Sequence, residues 1–218
     1  SYPLIRLSMF RDKVFSGSLA ISVIMYTVIT GAVLILPFYL QRGKLFSTST
    51  SGLLMTIGPI GCTIFTPVST KAAKHLGNYA VMIIGIIIFA IGSFFMSTLS
   101  GDTSILKFAA TILVFNGSLA FFQTPNNASI ISSAKPEQRG LASGLLNLSR
   151  TIGQTTGAAL IGALFYFFTK TKSITTTSPA NIVSGIQHTF LIAGGIVIIA
   201  FVISLFTLVP KIKEERRA

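Results

Sequence analysis

Six long apolar runs alternate with short polar breaks along the chain, at residues 14–40, 51–73, 79–99, 104–132, 138–168 and 188–209. About 20 apolar residues in a helix cross the hydrocarbon layer of a bilayer, and each run reaches that length. Their apolar character is nearly continuous rather than alternating, which favours helix over barrel strand. A bilayer leaves no water to satisfy backbone groups, so spanning segments close their own hydrogen bonds as helices. The pattern therefore predicts an all-α membrane protein with six transmembrane helices in one bundle over 14–209. A short basic and apolar lead-in (1–13) suits the membrane interface, and residues 210–218 form a basic tail.

Breaks and bends follow from the punctuation. Gly31 and Pro37 can bend the first span, and Arg42 and Lys44 end it. Gly58, Pro59, Gly61 and Pro67 predict a kinked second span, closed by Lys71, Lys74 and His75 and then Gly77. Pro136 and Glu137 suit the first turn of the fifth, because proline's φ is already helical and a carboxylate favours the positive end of the dipole. Residues 169–187, rich in Ser, Thr and Pro, predict an exposed connection.

Polar residues inside the runs are costly in lipid and so mark faces turned to protein or water. Asn116, Gln123 and Asn127 share a stripe of the fourth span, by steps of seven and four. Ser143, Asn147, Arg150 and Gln154 share one on the fifth, by steps of four, three and four. Tyr26, Thr27 and Thr30 sit near the middle of the first. Two readings stand for the amides: hydrogen bonds between helices, or the lining of a water-filled path. On the path reading, Tyr26, Thr30, Asn116 and Gln123 face water. For Arg150, polar neighbours favour a buried or cavity role over a cation reaching for headgroups. Spans three and six are apolar throughout and are expected to face lipid on most sides. Gly144, Gly153 and Gly157 lie on the fifth span, and Gly153 with Gly157 makes the small-xxx-small pattern that lets membrane helices approach closely.

Composition agrees: 51% of residues are hydrophobic and 10% charged, where soluble domains carry about 25% charge. The net charge of +12 does not point to nucleic acid, because membrane proteins collect Lys and Arg at cytoplasmic span ends. Eleven of the basic residues fall on the side of both termini (Arg6, Arg11, Lys13, Lys71, Lys74, Lys135, Arg139, Lys211, Lys213, Arg216 and Arg217), and five on the other (Arg42, Lys44, Lys107, Lys170 and Lys172). Both termini are thus expected in the cytoplasm.

No enzyme chemistry is visible. The acids are Asp12, Asp102, Glu137, Glu214 and Glu215, none deep in a span, and no nucleophile has a base and an orienter in sight. No phosphate-binding loop or metal-ligand spacing occurs, so neither cofactor nor metal is expected. His75 and His188 are placed at span ends as interfacial residues, and the single Cys62 as a small packing residue.

The stretch KPEQRGLASGLLNLSRTIGQTTGAALIG, residues 135–162, resembles a segment of the drug–proton antiporters in the fourteen-span branch of the major facilitator superfamily. The likeness lies in E-x-R-G-x-A-S-G-L-x-N followed by R-x-x-G-x-x-x-G. PLIRLSMFRDKVF and LPFYLQ resemble that family's entry into its C-terminal six-helix half. The resemblance implies a three-plus-three inverted repeat, two bundles moving around a midplane site, and efflux of small amphipathic molecules driven by protons. It further implies a plasma (bacterial inner) membrane location and a missing N-terminal transmembrane half as partner. With Ser1 at its start, the chain is expected to be a piece of something longer. The family's G-x-x-x-D-R-x-G loop would fall at Lys71, Lys74 and Gly77, with Lys74 standing in place of the usual Asp. The other reading is a non-transporting helical membrane module, regulatory or lipid-contacting.

Overall fold

A computed structural model describes residues 7–170 and 177–215. Six helices long and apolar enough to cross a membrane follow one another. They are α1 (Lys13–Phe38), α2 (Thr48–Leu76), α3 (Asn78–Ser97), α4 (Ile105–Ser133), α5 (Arg139–Phe168) and α6 (Pro179–Thr207), with a short α7 (Val209–Glu215) after them. Helix starts are capped where the sequence supplies an oxygen. Asp12 accepts from Val14 N at 2.7 Å and Phe15 N at 3.2 Å, and Ser47, Ser104 and Ser178 do the same for α2, α4 and α6. Pro136–Gln138 form a single 3-10 turn that feeds straight into α5.

One boundary differs from expectation. The sixth helix begins at Pro179, nine residues before His188. Ser178 and Pro179 read as loop residues, but together they are a start signal: a cap whose oxygen accepts from Asn181 N at 3.3 Å and a proline at the first position. His188 therefore lies inside a helix rather than at its end. Its ring stacks on Phe168 at 5.2 Å and its Nδ1 meets the Ser184 carbonyl at 2.8 Å. Residues 171–176 of the expected connection, and much of the basic tail, lie outside the described residues or their side chains.

The packing has an internal symmetry. Among the most extensive contacts are two pairs, α1 with α5 and α2 with α4, and α3 with α4 and α1 with α6. Exchanging α1 for α4, α2 for α5 and α3 for α6 turns each pair into the other. That is the pairing a three-plus-three inverted repeat produces. The symmetry reaches single residues. On α5, Gly153 and Gly157 lie under α1, while Gly31 of α1 faces Ile161 of α5. On α2, Gly58 and Gly61 lie under Asn116 and Leu113 of α4, while Gly117 of α4 faces Phe65 of α2.

The core runs between the layers: Met25, Ile35, Tyr39, Phe89, Phe115, Phe122, Phe165 and Phe190 are fully buried. Phe89 and Phe115 stack at 4.5 Å. At the end away from the termini, three polar groups hold the α3–α4 connection. Tyr39 donates to Ser100 O at 2.8 Å, Lys44 to Gly101 O and Thr103 O at 2.6 and 2.7 Å, and Gln187 to Leu99 O at 2.8 Å.

Exposure does not divide as hydropathy suggests. Spans three and six leave more than half of their most apolar windows unburied, but they are not the most open spans. In their most apolar windows α3 is 44% and α6 39% buried, against 22% for α2 and for α5. Hydropathy reports which helix tolerates lipid, whereas coverage depends on which neighbours are present.

The α2–α3 connection is a single residue. Gly77 ends α2 and starts α3 with φ 86° and ψ 155°, its N–H donating to Ala73 O at 3.0 Å. That backbone region is essentially closed to side chains. Gly77→Ala should therefore lower stability by about 1–3 kcal/mol, read as a fall in the thermal unfolding midpoint in detergent. An unchanged midpoint would show that the turn relaxes without strain.

Candidate functional site

Polar side chains of α1, α4 and α5 meet near the middle of the bundle. Arg150 anchors them. It lies eleven residues into α5, from 139 to 150, or about 16 Å along the axis at 1.5 Å per residue. Its Nη2 donates to Asn127 Oδ1 at 2.6 Å and its Nη1 reaches Asn147 Oδ1 at 3.5 Å. The guanidinium carbon stands 5.6 Å from the centre of the Tyr26 ring, within cation–π range. Its Nε is buried and has no acceptor among the described residues. Three helices thus converge on one cation, and the polar stripes of the fourth and fifth spans meet where Asn127 touches Arg150.

The other expected site residues separate into three groups. Thr30, Asn116 and Gln123 are half-buried on α1 and α4. Asn116 spends its amide on Ile112 O at 3.1 Å. It also borders a pocket of about 320 Å³ between α1, α2 and α4, whose wall includes Val33, Leu36, Met55, Thr56 and Pro59. Thr27 does not belong with them. It is buried, its hydroxyl donating to Val23 O at 2.8 Å and to Gly153 O at 3.2 Å across the α1–α5 contact. Tyr26, expected to face water, is buried as well, with 9% of its surface exposed and its ring covered by the Arg150 guanidinium.

The third group is on α5. Gly153 and Gly157 face α1 so closely that a Cβ on Gly153 would stand 2.5 Å from Val23 O, and one on Gly157 would collide with the Thr27 carbonyl. Gly144 faces open space, with Asn147 and Gln154 also exposed. Lys71 and Lys74 are exposed at the end of α2, beside Gly77.

Asn126 was not singled out from sequence. It is buried, turned about 100° around α4 from Asn127, and donates to Ser22 of α1 at 2.9 Å. The pairing of Asn126 with Asn127 was the visible signal: adjacent amides on a helix point to different faces, so one serves packing while its neighbour serves the site.

The profile of the Major Facilitator Superfamily matches residues 16–218. The chain belongs to the Major Facilitator Superfamily. Similar proteins include an uncharacterized transporter, YebQ, of Escherichia coli K12, 31% identical over 76% of this chain and 36% of its own length. The riboflavin transporter RibZ of Clostridioides difficile is 23% identical over 93% of this chain and 44% of its own length. The quinolone resistance protein NorB of Staphylococcus aureus is 28% identical over 96% and 43%. The chain thus spans about two fifths of the length of the curated relatives it matches. As a superfamily member it is a multi-pass membrane protein of transporter kin.

Two measurements check this superfamily bundle. Single cysteines at Thr30, Asn116 and Gln123, in a Cys62→Ala background, should react with a small aqueous maleimide. Thr27 and Ile86 should label slowly, because both are buried. Equal rates at Thr27 and Thr30 would remove the distinction between the buried and the half-buried residue. Gly157→Leu should destabilise the bundle by about 3 kcal/mol, the upper end of ordinary overpacking, whereas Gly144→Ala should leave its unfolding midpoint unchanged or slightly raised. Like responses at the two positions would refute the facing of α5.

Proposed function

We propose that the chain is one six-helix half, the C-terminal one, of a secondary active transporter that exports small amphipathic molecules by alternating access in a bacterial inner membrane. One observation carries the reading. The two least apolar spans, α2 and α5, are also the two least buried. Lipid would cover apolar helices at no cost, but it covers the exposed side-chain amides of Asn147 and Gln154 poorly. A second bundle would cover them, and it would place Thr30, Asn116, Gln123 and the Arg150 cluster at the boundary between halves. The lengths of the relatives leave room for such a bundle, and two repeats moving around a midplane site are the general arrangement of such transporters. Drug export is the activity that NorB's printed name suggests, and the resemblance of residues 135–162 supports the same branch. The excess of Lys and Arg on the side of the two ends supports cytoplasmic termini.

Proton coupling belongs to the other half on this reading. A coupling group binds and releases a proton within the membrane, usually as Asp, Glu or His. Asp12 caps α1, Asp102 lies in the α3–α4 connection, and Glu137 lies in the turn before α5; His188, though inside α6, follows Gln187, which bonds Leu99 O at the end of α3 and so stands at the level of the α3–α4 connection. Arg150 is not of these residue types. In liposomes with an imposed pH gradient, residues 1–218 alone should give no substrate-dependent proton flux, and the full-length protein should give it. Coupled flux from the 218 residues alone would overturn both the half-transporter reading and the placing of the proton site elsewhere.

A further inference from the structure

Among the described residues, the partners of Arg150 include no carboxylate. No carboxylate of this sequence lies deep in a span: Asp12, Asp102 and Glu137 are at or beyond helix ends, and Glu214 and Glu215 close the tail segment α7. The partners that the guanidinium has are neutral. Asn127 and Asn147 accept from Nη2 and Nη1, and the Tyr26 ring offers its face. Of the five N–H groups of an arginine, three have no acceptor among the described residues, and the Nε that carries one of them is buried. Charge held this far from water is expensive unless it is paired.

The side chain is also placed rather than loose. Asn127 from α4 and Tyr26 from α1 hold the guanidinium at the junction of three helices instead of letting it extend to the headgroups. Arg150 stands about 5 Å along the axis from the midpoint of α5, which runs from Arg139 to Phe168. The residue keeps part of its surface open, and Asn147 and Gln154 of the same stripe are exposed. Both Nη atoms retain hydrogens, and a planar fork of this kind matches a carboxylate across two nitrogens.

We infer that Arg150, positioned by Asn127 and flanked by Tyr26, is the anion subsite of the transport cavity and takes the carboxylate of an amphipathic transported molecule. This rests on the half-transporter reading for the word transported, but its test reads binding and not transport. The full-length protein in lipid nanodiscs is titrated with 1-naphthaleneacetate and with its neutral isostere 1-naphthaleneacetamide. The carboxylate should bind at least about ten-fold more tightly, the step expected of one charge-assisted hydrogen-bonded contact. Arg150→Gln should bring the two affinities within about two-fold. Asn127→Asp keeps the shape and the arginine but supplies an internal carboxylate, and should abolish the preference as well. The second variant keeps the proposal falsifiable if removing the charge disturbs folding.

Equal affinities in the unaltered protein, or no saturable binding of the carboxylate, would overturn the inference. The first result is also the one expected if an Asp or Glu outside these residues already neutralises Arg150. A preference that survives in either variant would overturn it too, because the carboxylate would then be held elsewhere. Failure of the proton-flux experiment bears on the transport cycle and leaves the affinity ratio unaffected, so the two readings fail separately.

Discussion

The contact between α1 and α5 holds the rest of the arrangement in place. In lipid there is no hydrophobic gain in bringing two apolar helices together, so association depends on dispersion, close backbone approach and hydrogen bonds that cross between helices. Gly153 and Gly157 bring α5 onto the carbonyls of Val23 and Thr27, and the Thr27 hydroxyl bonds across to Gly153 O. Gly31 returns the same favour to Ile161 on the other side of the crossing. Only because the axes lie this close can Arg150, one turn before Gly153, reach both the Tyr26 ring and Asn127. The cation cluster is therefore a geometric product of glycine packing.

The same device appears at α2 and α4, with the roles of the helices exchanged. Gly58 and Gly61 correspond to Gly153 and Gly157, and Gly117 to Gly31. Two copies of one packing solution, related by the swap of triplets, give two walls built alike. Evenly matched walls suit a bundle that moves as a rigid body, since neither side is the weaker one. The α3–α4 contact uses Gly85 and Gly92 against the backbone of Phe122 and Phe115 and closes the bundle behind them.

Much of this was legible in the sequence, for physical reasons that can be named. Membrane spans advertise themselves through length and continuous apolarity, so six helices with nearly correct bounds could be read directly. The small-xxx-small pair on α5 was legible because spacing alone decides which side of a helix a residue occupies. What spacing does not decide is which side is covered. Thr27 and Thr30 looked alike, and only the closeness of α5 separates them. Gly144 and Gly153 also looked alike, and only the position of α1 does. The start of α6 was hidden because Ser, Pro and Asn serve loops and helix caps equally. The repeat escaped a reading of the letters because it lives in which glycines meet which neighbours, information that exists only in three dimensions.

The threonines on the open faces of α2 and α5 carry a consequence for motion. Thr63, Thr66 and Thr70 donate to Pro59 O, Cys62 O and Thr66 O, and Thr151 and Thr155 to Asn147 O and Thr151 O. Each hydroxyl is satisfied by its own helix, so it asks nothing of whatever lies opposite. Those hydroxyls are close to indifferent between wet and dry surroundings, since sealing them strands no donor, whereas Ile60, Ile64, Leu148 and Ile152 stand exposed on the same helices and favour a dry one. Where a second bundle meets these faces, as proposed, the pull toward closure comes from the apolar residues and the threonines set no opposing cost.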